Sequence, residues 1–175
     1  KMMDAIGVKW NNCHSIGTII HVAVDGKYVG HVVINDRLKD DSAQAVKSLK
    51  RLGVDHMVML TGDRKEVAFD VAKKLGLDTC YAELMPADKV RYVEQLLATK
   101  TENKTLAFVG DGINDAPVLK RADIGIAMGG LGSDAAIEAA DVVLMDDQPS
   151  KIATAIRIAR RTICIAHELS LIHIS

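Results

Sequence analysis

The residues best suited to chemistry stand in a run at 110–117 that reads Gly-Asp-Gly-Ile-Asn-Asp-Ala-Pro. Its two carboxylates, Asp111 and Asp115, are four residues apart and directly follow an apolar stretch. Magnesium takes hard oxygen ligands, often one or two carboxylates together with water and a substrate phosphate. An Asp/Asn turn that caps the next helix explains any one of these residues, but not the whole set after a strand. The run therefore favours a magnesium and phosphate site.

Two further segments carry groups that suit an anion. In Thr61-Gly62-Asp63, a hydroxyl and neighbouring amides can hydrogen-bond anionic oxygens, and Gly62 allows close backbone approach. In the segment that begins at Pro86, Lys89 falls in the first turn of a predicted helix, where a cation is mildly unfavourable. A phosphate within reach of its ammonium group would explain that placement. Taken alone, the first segment is better explained as an ordinary turn and the second as a lysine on a solvated face.

The elements around these segments predict how they are positioned. Runs rich in Val, Ile and Leu alternate with amphipathic stretches, which predicts a doubly wound, Rossmann-like α/β fold with a parallel sheet. Ligands bind such sheets at the carboxyl ends of the strands, where all three segments would lie. Asp40 or Asp41 is predicted to cap the first helix, and Gly53 and Gly76 to end the first two. The predicted strands cover 54–60, 105–109, 124–128 and 142–145. The predicted helices cover about 41–52, 65–75, 86–98, 133–139 and 149–167, with a short helix that begins at about 116.

The two ends of the chain differ from this pattern. Apolar runs at 22–24 and 28–34 flank Asp25-Gly26, which predicts a β-hairpin. The last seven residues, 169–175, match no helix or strand plan and resemble a translated sequencing adapter. We therefore expect a reading frame that is truncated at that end.

Composition excludes several classes of protein. The 175 residues include 22 basic and 23 acidic side chains, a balance that argues against a general nucleic-acid binder. No run of 18 or more apolar residues occurs, so the sequence predicts no membrane span. The three cysteines lie far apart, which disfavours a disulfide framework or a structural zinc site and favours a reducing compartment. The six histidines show no ligand spacing, which disfavours a metal-sensing set.

The motifs TGDR, MPADK and VGDGINDAPVL, in that order, resemble the phosphorylation domain of P-type ATPases, a branch of the haloacid-dehalogenase-like superfamily. The stretch MGGLGSDAAIEAADVVLM is most similar to the zinc/cadmium/lead branch of the heavy-metal pumps. The resemblance covers about residues 17–161. It implies that 1–34 are the tail of a nucleotide-binding domain, 35–161 the carboxy-terminal part of the phosphorylation domain, and 162–175 a truncated tail.

The resemblance implies roles for the first two motifs. Thr61 matches the threonine that hydrogen-bonds the phosphoryl group, and Gly62 belongs to the same phosphate loop. Asp63 matches the acidic residue beside the nucleotide and the hinge. Lys89 matches the lysine that neutralises the aspartyl phosphate.

The resemblance also implies Mg²⁺ and ATP as cofactor and substrate. Asp111 matches the magnesium ligand. Asn114 and Asp115 match the supporting pair that holds the geometry of phosphate and metal. Asp36 matches the acidic hinge residue where the nucleotide-binding domain rejoins the phosphorylation domain.

The phosphorylated aspartate of this family stands in an Asp-Lys-Thr-Gly-Thr motif, which does not occur in the 175 residues. The resemblance thus implies that this segment is inactive alone. It also implies that the whole protein exports a heavy-metal cation and that this segment lies at the cytoplasmic face of a membrane. Its partners would be the upstream phosphorylation-domain and membrane segments, and not nucleic acid. A stand-alone phosphatase and a non-catalytic magnesium- or phosphate-binding module are the alternatives.

Overall fold

A computed structural model of the chain describes residues 7, 18–34, 38–110, 113–129 and 134–172. Two of the predicted site residues, Asp36 and Asp111, lie outside the described residues. The chain divides into two compact units, residues 1–38 and residues 39–175.

The first unit contains the predicted β-hairpin. Strands β1 (Thr18–Val24) and β2 (Lys27–Ile34) pair antiparallel across a two-residue turn. Both turn residues have positive φ, 49° at Asp25 and 73° at Gly26, as a type I′ hairpin turn requires. The register shifts between Val22 and Ala23, because a bulge in β2 adds one residue to that strand.

The described residues of the second unit form five short parallel strands, which confirms the predicted α/β class. Strand β3 (Val58–Leu60) pairs with β4 (Thr79–Tyr81). Strand β6 (Ile124–Met128) lies between β5 (Ala107–Gly110) and β7 (Val142–Leu144). Strand β3 is shorter than predicted, and β4 was not predicted, because three residues without an apolar run carry little periodic signal.

Helices follow most of the strands. They are α1 (Ser42–Arg51), α2 (Lys65–Leu75), α3 (Pro86–Thr99), α4 (Ala116–Leu119), α5 (Asp134–Ala139) and α6 (Ser150–Ile172), with a 3₁₀ turn at Ile113–Asp115. Gly53 and Gly76 have φ of 85° and 72°, so α1 and α2 end at glycines in the left-handed region as predicted. Within the described part of the chain, no helix is long and apolar enough to cross a membrane.

One local prediction about helices was wrong, and a second holds only for the position of the residue. Helix α6 continues to Ile172, so residues 169–172 are helical; Leu and Ile are compatible with a helix, and no Gly or Pro interrupts it. Asp41 occupies the N-cap position of α1, as predicted for Asp40 or Asp41, but its carboxylate makes no capping hydrogen bond to that helix. It accepts a hydrogen bond at 3.0 Å from the backbone N–H of Ser150, where α6 begins, and so satisfies an amide that has no partner within that helix.

The core of the second unit lies on both faces of β6. One cluster packs β6 against α4 and α5, and the other packs it against α6. Their buried members are Leu119, Ala127, Ala136 and Ala139 in the first cluster, and Ile126, Met128 and Ile152 in the second. This burial fixes β6 between two helical layers.

Three aspartates share a position at the amino ends of the strands. Each directly precedes one of β4, β6 and β7, and each accepts a backbone N–H from the start of the neighbouring strand. The pairs are Asp78 with Met57 at 2.8 Å, Asp123 with Leu106 at 2.8 Å and Asp141 with Gly125 at 2.7 Å. The hydrogen bonds from the backbone N–H groups of Met57 and Leu106 are the main reason why the pKa values of Asp78 and Asp123 are lowered. The strand starts are thus tied together at the edge opposite to the predicted site.

Candidate functional site

Thr61 stands directly after β3, at the carboxyl end of that strand. Its side chain is buried, and its backbone N–H donates to the carbonyl of Tyr81 at 3.0 Å. Its hydroxyl donates to Oδ2 of Asp63 at 2.7 Å and accepts the backbone N–H of Asp63 at 3.1 Å. This local turn, typical of Ser and Thr, holds the Thr61 hydroxyl in one place.

The Thr61–Asp63 loop is joined to the segment that leads into α3. The backbone N–H of Leu84 donates to the Thr61 carbonyl at 3.0 Å, and that of Glu83 donates to the Asp63 carbonyl at 2.9 Å. A Cβ on Gly62 would lie 3.3 Å from the Leu84 carbonyl oxygen, closer than most side chains come to a neighbour. A small residue at position 62 therefore lets the two segments lie against each other.

Helix α3 begins so that Lys89 falls in its first turn. Pro86 is the first helical residue, and Oδ2 of Asp88 accepts the backbone N–H of Met85 at 3.1 Å. One turn along the helix, the Tyr92 ring stacks on Tyr81 with centroids 4.2 Å apart. The stacked rings pack α3 against the end of β4, and this fixes the base of the Lys89 side chain.

Lys89 forms an ion pair with Asp115. Its Nζ donates to Oδ1 of Asp115 at 2.8 Å, and the two side chains are 20% and 11% exposed. Asp115 ends the 3₁₀ turn after β5 and is buried. Because the pair is largely shielded from water, its attraction is stronger than that of a surface ion pair. The predicted contact of Lys89 with a phosphate stays a prediction, and its partner in the structure is a carboxylate.

Gly110, the last residue of β5, leaves room for Asp115. A Cβ at position 110 would lie 2.8 Å from the Asp115 Cβ and 3.1 Å from its Oδ2. Only glycine therefore fits beneath the Asp115 side chain. The sequence analysis did not assign this role to Gly110. Its position between an apolar strand and an acidic loop could have suggested it.

The structure brings the predicted residues together as two pairs, Thr61 with Asp63 and Lys89 with Asp115. Among the described residues, no hydrogen bond links one pair to the other, and Asn114 is exposed. A buried hydroxyl thus follows β3, an ammonium group lies in the first turn of the helix after β4, and a buried carboxylate follows β5. The hydroxyl and the ammonium group can bind an anionic oxygen, and the ammonium group can neutralise its charge.

Of the two predicted metal ligands at this site, Asp115 lies within the described residues. Within the described ranges, no group of three His, Cys, Asp or Glu side chains is placed to hold a metal ion. Asp115 supplies one hard carboxylate at the end of β5, of the kind that Mg²⁺ prefers. The other predicted ligand, Asp111, lies outside the described residues.

Comparison with known proteins gives consistent matches. Residues 8–123 match the profile of haloacid dehalogenase-like hydrolases. A zinc-transporting ATPase of a Synechocystis species is 60% identical over 152 residues, 87% of this chain. A cadmium, zinc and cobalt-transporting ATPase of Bacillus subtilis is 63% identical over 162 residues, 93% of this chain. The crystal structure of a zinc-transporting PIB-type ATPase in an E2.Pi state superposes with a TM-score of 0.72 at 37% identity and covers 93% of this chain.

These matches cover only part of the similar proteins. The chain spans 21% and 23% of the length of the two ATPases and 24% of the crystallised chain. What is similar is therefore one segment of a much longer polypeptide.

Proposed function

Because this chain belongs to the haloacid dehalogenase-like hydrolase family, we propose that it is part of the cytosolic catalytic unit of a P-type ATPase that exports zinc or cadmium. The ATPases similar to it act on these cations, and the similarity extends over most of the chain. The observation that carries the proposal is the shielded Lys89–Asp115 pair beyond β5, in the same unit as the buried Thr61 hydroxyl beyond β3. A carboxylate, an ammonium group and a hydroxyl are the groups that a phosphoryl-transfer site requires.

Each side chain has a distinct task in the proposed reaction. Thr61 donates a hydrogen bond to a phosphoryl oxygen, with Asp63 holding its position in the free site. Lys89 neutralises the charge of the phosphoryl group and moves its ammonium group from Asp115 to an oxygen of the phosphate. Asp115 keeps the ammonium group in place until the phosphate arrives. Positioning and charge neutralisation supply most of the catalysis in this class of reaction.

We propose Mg²⁺ as the cation of this site, with Asp111 and Asp115 as its protein ligands. When bound, Mg²⁺ would neutralise part of the charge on the phosphate. The nucleophile is an aspartate of the whole protein: its carboxylate attacks the γ-phosphorus of ATP, ADP leaves, and water later hydrolyses the aspartyl phosphate. Formation and hydrolysis of this intermediate would drive cation export from the cytoplasmic side of the membrane.

The proposal is tested on the whole protein, expressed from the complete reading frame. With Zn²⁺ or Cd²⁺ and radiolabelled ATP, we expect an acid-stable, hydroxylamine-sensitive acyl phosphate. Thr61→Ala and Lys89→Ala should each slow its turnover by about 100-fold or more, as expected for lost electrostatic stabilisation.

Matched controls separate this effect from general damage. The Thr99 hydroxyl bonds only to carbonyls of its own helix, and Lys120 is exposed, so Thr99→Ala and Lys120→Ala should keep near-normal turnover. The absence of any acyl phosphate in the unmodified protein would refute the proposal. Phosphate release without an ATP-derived, metal-stimulated intermediate would point to a stand-alone phosphatase instead.

A further inference from the structure

The hairpin brings together two histidines that are ten positions apart in the sequence. His21 on β1 and His31 on β2 face each other directly in the antiparallel register. Their ring centroids are 5.9 Å apart, with the ring planes at 59°. Directly opposed residues project to the same face of a two-stranded sheet, so both imidazoles lie on one face.

The β-bulge adds a third polar group to this face. Tyr28 lies three residues before His31, and in a regular strand such residues point to opposite faces. The register shift between Val22 and Ala23 places Tyr28 opposite Ala23, on the same face as His21. Bulges commonly re-aim a side chain in this way.

The three side chains converge on one point. The Tyr28 hydroxyl lies 3.0 Å from Nδ1 of His31 and 3.3 Å from Nδ1 of His21. The same nitrogen of each ring therefore faces the same oxygen. A phenol has one proton to donate, so two neutral imidazoles that share it must adopt different tautomers.

From this convergence we propose that the His21–Tyr28–His31 cluster is a binding site for a borderline divalent transition-metal ion, with Zn²⁺ as the probe. The two Nδ1 atoms are the principal ligands, and the Tyr28 oxygen is the third. Neutral imidazole nitrogen is a preferred ligand of Zn²⁺, Cu²⁺ and Ni²⁺, whereas Mg²⁺ prefers oxygen. Both ring nitrogens would bind the ion through zinc–nitrogen bonds of about 2.0–2.1 Å. This proposal rests on the hairpin alone and is independent of the proposed phosphoryl-transfer site.

Calorimetric titration of the full chain with ZnCl₂ tests the proposal. We expect a site for one ion per chain in the unmodified protein, and loss of affinity by about 100-fold in His21→Gln/His31→Gln. Tyr28→Phe removes the third ligand and should weaken binding by about 10-fold or more, since even groups that only support a ligand contribute that much. His56→Gln is the matched control, because His56 contacts Thr79 in the other unit and should leave the affinity unchanged.

A second measurement does not depend on any variant. In an NMR titration, the imidazole Cε1–H signals of His21 and His31 should both shift and saturate at one equivalent of Zn²⁺. The same excess of MgCl₂ should leave them in place. Unchanged signals at one equivalent of Zn²⁺, or equal affinity in the doubly substituted chain, would overturn the proposal.

Discussion

The ammonium nitrogen of Lys89 lies 2.8 Å from a carboxylate oxygen of Asp115, and both side chains are largely shielded from water. The two residues come from different elements, the first turn of α3 and the 3₁₀ turn after β5. The pair therefore joins the half of the second unit that contains β3 and β4 to the half that contains β5, β6 and β7. It links the stability of the fold to the residues that we propose to act on phosphate.

Removal of Lys89 should destabilise the second unit. Lys89→Met leaves the buried Asp115 carboxylate without its partner, and we expect a loss of about 1–3 kcal/mol in the free energy of unfolding. Urea denaturation measures the change, with the exposed Lys120→Met as the matched control. Equal stability of Lys89→Met and Lys120→Met would show that the pair contributes nothing to the fold.

A methyl group at position 110 should disturb Asp115. Gly110→Ala places a Cβ at 2.8 Å from the Asp115 Cβ, so either the strand end or the acidic turn must shift. We expect a loss of about 1–3 kcal/mol, the usual cost of overpacking. Gly30→Ala is the control, because a Cβ there meets nothing within 4 Å and should change stability by no more than about 0.5 kcal/mol. Thermal unfolding that is unchanged by Gly110→Ala would contradict this packing.

The fold could be predicted from the sequence where local patterns were strong. Helix α2 has the predicted bounds, because apolar residues recur at helical spacing and Gly76 supplies the left-handed stop. The three-residue strand β4 had no such pattern. Asp40 or Asp41 was predicted to cap the first helix, and Asp41 stands at that position, but its carboxylate bonds to Ser150, more than one hundred positions along the chain.

The sequence pointed to the residues of the candidate site but not to their contacts. Loop composition and the ends of predicted strands pointed to Thr61 and Lys89. That Lys89 pairs with Asp115 depends on how α3 packs against the sheet, which spacing does not encode. The His21–His31 pair was missed for a similar reason. The two histidines meet because of the hairpin register. The alternation of residue types does not predict the bulge that brings Tyr28 to their face of the hairpin.

The stability of the chain should depend on the charge of Asp123 in acid. The Leu106 backbone N–H, and secondly Lys100, lower the folded-state pKa of Asp123. A depressed pKa means that the carboxylate contributes stability above the unfolded value of about 3.9, and that this contribution is lost as the pH falls through the lowered folded value. The difference in urea midpoint between unmodified protein and Asp123→Asn should therefore shrink between about pH 7 and pH 3.

A variant of the neighbouring lysine separates the two causes of this pKa shift. Lys100→Met removes the ion pair at 2.5 Å but leaves the Leu106 backbone bond, so it should keep most of the pH dependence. If Lys100→Met removes the whole pH dependence, the ion pair and not the backbone bond lowers the pKa of Asp123.

Binding of magnesium should perturb the acidic loop at residues 111–115 in the 175-residue chain. We expect MgCl₂ to shift the backbone amide signals of residues 111–115 in an NMR titration, because carboxylate oxygens there would replace waters of the ion. Asp111→Asn should abolish the shifts. Asp25→Asn, a substitution in the hairpin turn of the other unit, should not. An unmodified chain whose amides do not respond to magnesium would show that the site is not preformed in this segment.

Unpaired sheet edges should make the chain marginally stable. Within the residues that the structure describes, β3 pairs only with β4, and β5 pairs only with β6, so each presents an open edge. Parallel strands are normally buried on both faces, yet Val109 of β5 is 39% exposed. Open apolar edges favour association with other chains. We therefore expect a broad thermal transition and a mass that rises with concentration in light scattering.

A charged substitution on the open edge distinguishes association by strand pairing from association through exposed apolar surface. Val109→Lys should reduce the concentration-dependent association, because lysine on an edge strand opposes pairing with another strand. Ile158→Lys is the matched control, since it removes an exposed aliphatic side chain from helix α6, which presents no strand edge. If both variants reduce association equally, apolar surface in general is responsible. A sharp, high-temperature, two-state melt of the unmodified monomer would show that the open edges cost the fold little.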